Sequence, residues 1–230
     1  MKNLFNPENP IMQILARVGD LILLSIITLV LCVPVVTFGP AVTALFKTVY
    51  ALTLDTCGGV FSTYFRAFRD NLRQSAIAGI AMLLILASLV CDVLLLRTYY
   101  TGNLGSTYKA LLAVIAVLAL LILSLTAYLF PLISRYNNTL SEHLRNAAIL
   151  MIMNFPRTVL MVLVHLSPLL ALYFRPDLVL RTLILWPILA PGLIAQADSY
   201  ILLPVFEKLE KERAEYQAKE TEAPEEDAEL

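Results

Sequence analysis

Residues 110–134 read ALLAVIAVLALLILSLTAYLFPLIS, twenty-five consecutive positions without one charged side chain. As a helix this run covers about 37 Å, enough to cross a hydrocarbon layer of ~30 Å. Similar runs recur at about 18–36, 75–96, 157–174 and 180–206. The whole chain is 59% hydrophobic and only 15% charged, with a mean hydropathy of +0.76. A soluble domain of this size has no interior large enough for that much apolar surface, so lipid must solvate it. The sequence therefore predicts an all-α, polytopic transmembrane helical bundle of about five spans plus short interfacial helices.

Charge divides the chain. Residues 207–230 carry ten acids and four bases, and the first 206 carry thirteen bases and eight acids. Residues 1–206 read as the transmembrane domain. Residues 207–230 read as an acidic cytoplasmic tail that begins as charged helix and ends in disordered Glu/Ala/Pro sequence. The bases form no dense patch, which argues against nucleic-acid binding. No small-residue cleavage site follows the first apolar run, so that run is expected to stay as an anchor.

Between the first two runs the backbone is interrupted by Pro34, Thr37, Gly39 and Pro40. Such a break reads either as a tight turn or, at membrane depth, as a ligand site built from freed backbone groups. The stretch that follows, about Ala41–Leu54, is apolar but short, and Lys47 at its middle is expected to snorkel. It reads as a short helix packed at the interface or dipping partway in. Phe61, Phe65, Phe68 and Leu72 then fall on one helical stripe, with Arg66, Arg69 and Arg73 on or beside the other face. That is the pattern of a helix lying on a membrane surface.

Basic residues mark cytoplasmic loops. With five spans, segments 37–74 and 135–157 and the tail share one side with eleven bases, against six on the other. These segments face the cytoplasm whether or not Ala41–Leu54 crosses; only the side of the N-terminus depends on it. Asp70–Ile77 (DNLRQSAI) and Glu142–Ile149 (EHLRNAAI) echo each other. So do Tyr128 with Pro131 and Tyr200 with Pro204. The echo reads either as a duplicated helical hairpin or as a coincidence between apolar sequences.

Several stretches together carry a resemblance. They are Asn3-Leu4-Phe5-Asn6-Pro7-Glu8-Asn9-Pro10, Pro34-Val35-Val36-Thr37-Phe38-Gly39-Pro40-Ala41, Phe61 through Gln74, Arg135-Tyr136, Leu144-Arg145-Asn146-Ala147 and Asn154-Phe155-Pro156-Arg157-Thr158. Over about residues 1–206 the chain resembles the YesL family of bacterial integral membrane proteins, a family of unknown function. The first span departs from that pattern: Ser25 and Thr28 stand where relatives often carry Asn and Trp. The resemblance implies a multi-pass protein of the bacterial cell membrane, near carbohydrate ABC importers and two-component regulators. It supplies no catalytic residue.

Chemistry-bearing residues are few. Asp198, with Gln196 close by, is the leading intramembrane polar site, because a buried carboxylate is costly unless it is used or paired. His165 stands among apolar residues and reads as a helix–helix hydrogen-bonding group. Asp92 and Arg97 read as an interfacial pair. Cys32, Cys57 and Cys91 show no metal-ligand spacing, and neither does His143. There is no phosphate-cradling glycine loop, nucleophile elbow or paired acid and base, so no cofactor and no enzyme activity are expected. Two functions remain. One is an accessory component of carbohydrate uptake, using Arg66, Arg69, Asn71, Arg73 and Arg145 as a cytoplasmic partner surface. The other is a stand-alone small-solute transporter with a polar site near Asp198. The lipid bilayer is the partner in both.

Overall fold

The computed structural model describes residues 10–99, 105–183 and 185–222. The lead-in at Asn3–Asn9 and the tail beyond Glu222 lie outside the described residues. Every regular element among the described residues is helical. They are α1 (Pro10–Cys32), a 3-10 turn (Val35–Thr37), α2 (Phe38–Thr53), α3 (Val60–Asp70), α4 (Leu72–Tyr99), α5 (Ser106–Arg135), α6 (Leu140–Met153), α7 (Phe155–Phe174), α8 (Pro176–Arg181) and α9 (Leu185–Glu222).

Local chemistry explains the boundaries. The first apolar run stops being helical at Cys32 rather than at 36, because Pro34 lacks an N–H and disfavours helix at Val33. α2 ends in a turn where Thr56 N–H donates to Ala51 O (2.9 Å) and Asp55 takes the left-handed φ of 53°. α6 begins at a capping box: Thr139 N–H donates to Glu142 Oε2 (2.8 Å), and Glu142 N–H donates to Thr139 Oγ1. Asn154 separates α6 from α7, and Pro156 sits in the first turn of α7.

Six segments, rather than five, are long and apolar enough to cross a membrane: Met12–Cys32, Val35–Thr53, Leu72–Tyr99, Ser106–Arg135, Phe155–Phe174 and Leu185–Glu215. The contacts set the second apart. Gly39, at the start of α2, touches Ser75 and Gly79 in the first turns of α4. Gln74 Nε2 in that same turn donates to Asn138 O (2.8 Å), just past the end of α5. The start of α4 and the end of α5 therefore share one end of the bundle. The last turn of α2 reaches that same end, where Arg135 of α5 stacks over Tyr50 (4.3 Å) and bonds Glu210 of α9 (2.6 Å). Arg17 of α1 is there too, bonded to Leu52 O and paired with Asp55 (3.0 Å). α1 therefore leads away from this end and α2 leads back to it. α3, with 11 residues, covers only about 16 Å and joins α2 to α4.

α2 runs antiparallel to α1, and α3 leads from its end into α4. α2 is also the innermost element. Half of the α2 segment is buried, against 11–33% of the other five. α5 and α9 run the same way as α2, and α1, α4 and α7 run the other.

Other expectations are corrected. The stripe at 61–73 is not one helix: α3 ends at Asp70, and Arg73 belongs to α4. α3 does not merely lie on a surface, since Tyr64 is fully buried and donates to Ala41 O (3.2 Å) while pairing with Thr28 Oγ1 (3.1 Å). Phe61 and Phe65 stay exposed beside that buried line. Residues 180–183 do not belong to the last span; α8 and a turn precede α9. Beyond that, α9 runs unbroken past residue 206 to Glu222, with Pro191 and Pro204 inside it. The sequence echo has no common structure. Asp70–Ile77 straddles the α3–α4 junction, whereas Glu142–Ile149 lies wholly within α6.

Large apolar side chains such as Leu84, Leu94, Leu121, Leu163 and Leu172 are exposed on the outside. In water that surface would aggregate; in lipid it is solvated. Six helices of spanning length and this apolar exterior identify a multi-pass membrane protein.

Candidate functional site

Asp198 lies on α9 with no solvent exposure, and among the described residues neither carboxylate oxygen has a hydrogen-bond partner. Opposite it, from α7, stands His165. Its Nε2 is 3.5 Å from Asp198 Oδ2. His165 Nδ1 lies 2.9 Å from Met161 O and must donate to it, because a carbonyl only accepts. That fixes a proton on Nδ1 and turns the basic face of Nε2 toward the carboxyl. The pair can hold one further proton, on the carboxyl or on Nε2, and is electrically neutral when it does.

α7 is adapted around His165. Pro168 cannot donate to Val164 O, and Ser167 Oγ takes over that acceptor at 2.7 Å. One layer closer to the α7 start, Thr158 Oγ1 and Tyr128 hydroxyl share a buried hydrogen bond of 3.0 Å and tie α7 to α5.

The structure does not bring Gln196 to Asp198. Two residues apart on a helix, their side chains diverge by about 200°. Gln196 Nε2 donates to Thr53 Oγ1 at the last residue of α2 (2.9 Å), so it ties α9 to α2. Its Oε1 is buried without a partner. The partner of Asp198 is His165, which sequence reasoning treated as solitary. The available signal was its place as the one imidazole inside a spanning run.

A cavity of about 470 Å³ opens in front of His165. α1, α2, α4, α5, α7 and α9 all contribute to its wall. Phe38, Leu45, Met82 and Phe130 are typical of the lining, and Thr28, Cys32, Thr126 and His165 supply its few polar atoms. A second pocket, of about 330 Å³, lies on the other side of α2. It is lined by Lys47, Tyr50, Arg135 and Glu210 among others. Lys47 is exposed there, as expected of a snorkelling lysine. Arg135 closes one side of the pocket: it bonds Glu210 Oε1 (2.6 Å), and its guanidinium stacks over Tyr50 (4.3 Å) and Phe206 (5.0 Å).

At the helix-break motif the freed backbone groups are met from within the chain. Thr37 Oγ1 donates to Leu31 O and Pro34 O, the carbonyls that the break frees. Gly39 is needed for contact rather than chemistry, since a Cβ there would fall 1.8 Å from Ser75 O. Pro40 is buried in the first turn of α2, and Pro34 is exposed.

Arg66, Arg69, Arg73 and Arg145 are exposed at the end of the bundle where α3 stops and α4 starts, with no ion pair to any described residue. Asn71 is turned inward, its Nδ2 bonded to Ala67 O. Asp92 and Arg97 form no ion pair; five residues apart, they diverge on α4. The polar positions of the first span are structural. Ser25 Oγ accepts from Gly192 N–H (2.8 Å) where α1 crosses α9, and Thr28 holds Tyr64. His143 is buried in α6 without a hydrogen-bond partner, and burial pushes it below the ordinary histidine range.

Residues 21–93 match a family model described as a protein of unknown function, DUF624. The match covers about half of α1, all of α2 and α3 and most of α4, and stops short of His165 and Asp198. No curated protein and no solved structure matches the chain.

Proposed function

We propose that this chain is a small-solute transporter whose working centre is Asp198 and His165. One observation carries the reading: a fully buried carboxylate with no hydrogen-bond partner faces an imidazole from another helix beside a mid-bundle cavity. A group that costly to bury is kept where it binds a proton or a polar part of a solute. Its two helices belong to different hairpin arms, so a change in protonation or occupancy acts on their packing. The cavity wall limits the solute. A sugar needs many hydrogen-bonding partners, and this wall offers few. The lining suits a weakly polar or amphiphilic molecule.

The test is flux into liposomes holding the purified protein, with a set of weakly polar solutes. Asp198→Asn should cut flux at least tenfold while the protein elutes and melts as before. Equal flux in the variant, for every solute the wild type moves, removes the proposal.

A second reading has its own observation. Four exposed arginines without ion-pair partners gather at one end of the bundle. In this reading Arg66, Arg69, Arg73 and Arg145 dock an acidic surface of a carbohydrate importer or a two-component regulator in a bacterial cell membrane. Charge reversal at all four should abolish co-purification with such a component in mild detergent. Co-purification that survives the reversal, or none with the wild type, counts against it.

A further inference from the structure

The cavity before His165 and the pocket beside Lys47 lie on opposite sides of α2, and among the described residues Phe46 alone lines both. Its ring is 7% exposed. Neighbouring residues divide around it. On α5, Phe130 faces the first cavity and Pro131 the second; on α9, Ala195 faces the first and Ser199 the second. Asp198 sits in this same dividing layer, one residue before Ser199. The layer is thin, since four residues of helix span only about 6 Å.

We propose that the two cavities are the halves of one path, that helix α2 is the partition across it, and that the Phe46 side chain is its gate. The helix itself is held along its length, by Gly39 against α4, Ala41 O on Tyr64, Arg135 over Tyr50 and Gln196 on Thr53, so the movable part is the side chain. Phe46 lies between these fixings. A rotamer change would join about 330 and 470 Å³ of space with no backbone movement. The path leads from an apolar chamber to a pocket edged by Lys47, Arg135 and Glu210, where a solute meets water and charge.

This rests on the transport reading of the same region, but its test does not require transport. The full-length chain is prepared with Cys32, Cys57 and Cys91 changed to serine and with Thr126→Cys, which places a thiol on the wall of the apolar cavity. A membrane-impermeant thiol reagent is added on the side of sealed vesicles to which the Lys47 pocket faces. With Phe46 present the thiol should react slowly. Phe46→Ala should speed labelling at least tenfold, and Phe46→Leu should restore slow labelling. Phe38→Ala, which enlarges only the first cavity, should change little. Should Phe46→Ala fail to fold, Phe46→Val carries the same comparison. Equal labelling rates with and without the ring overturn the gate. Asp198→Asn is expected to leave labelling unchanged, so loss of flux in that variant and loss of the gate are separate results.

Discussion

Gly39 and Gly79 meet backbone to backbone where α2 crosses α4: a Cβ built on Gly79 would lie 2.7 Å from Gly39 Cα. Nothing flexible stands there to give way, because the nearest atoms are main chain. A Gly39→Ala substitution would drive its Cβ into Ser75 O and force the two helices apart. We expect a loss of about 3 kcal/mol or more, at the upper end for overpacking. Thermal unfolding in detergent should show it, whereas alanine at Gly19, which has open space around it, should be well tolerated.

Tyr64 hangs α3 on α1 and α2 through one hydroxyl. Tyr64→Phe keeps the ring and deletes both hydrogen bonds. It leaves Thr28 and the Ala41 carbonyl short of a buried partner. The expected cost is about 1–3 kcal/mol, seen as a lower melting temperature. The Thr28→Val variant should recover little further loss on top of Tyr64→Phe, because the two act through the same bond.

Arg135 holds the ends of α5, α2 and α9 together by an ion pair and two aromatic faces. Arg135→Ala should cost about 1–3 kcal/mol. Lysine should not replace it, since an ammonium cannot stack as a plane while reaching Glu210. Equal stability of Arg135→Lys and wild type would show the stacking to be incidental.

His143 gives a pH dependence whose sign is fixed. Burial lowers its pKa in the folded chain below the ordinary value of 6.5. Unfolded chain therefore binds a proton that folded chain refuses, and stability falls as pH drops below about 6.5. The contribution is whole above that value and is lost toward acid. In a His143→Leu variant the slope of melting temperature between pH 7 and pH 5 should flatten. Glu142 acts lower. The Thr139 backbone and side chain hold its carboxylate below the usual range, so the α6 cap should open as pH falls through that lowered value. Faster amide exchange at the start of α6 in acid checks this.

Arg17 near the start of α1 and Glu210 near the end of α9 lie at one end of the bundle, through Asp55 and Arg135, and six segments are of spanning length. The two chain termini should therefore lie on the same side of the membrane. Alkaline phosphatase and fluorescent-protein reporters fused to each end should give the same answer. Opposite answers would mean that α2 does not cross.

Much of this was legible in the sequence, for physical reasons. Apolar runs such as 110–134 announce spanning helices because a bilayer imposes a length. The Pro34 and Asn154 breaks were visible as backbone chemistry. The path of α2 was only half visible: its apolar run showed, but its position depends on Gly39 meeting Gly79 forty residues away and on Arg135 stacking over Tyr50. For the same reason Asp198 was readable as a costly carboxylate while His165 was not readable as its partner. Which faces of α7 and α9 meet is set by packing across the bundle, and nothing local to either helix states it. The 61–73 stripe misled because Phe61 and Phe65 face outward beside a narrower line, Tyr64 and Ala67, that enters the core.

α9 carries Gly192, Asp198, Phe206 and Glu210 on one continuous helix with Pro204 inside it. Asp198 and Glu210 are twelve residues, about 18 Å, apart on it. Pro204 cannot donate to the carbonyl of Tyr200, so the helix has one weak joint between the buried carboxyl and the rim. A load on the clasp of Glu210 with Arg135 is therefore taken up first as a bend at that joint, which shields the centre from the rim.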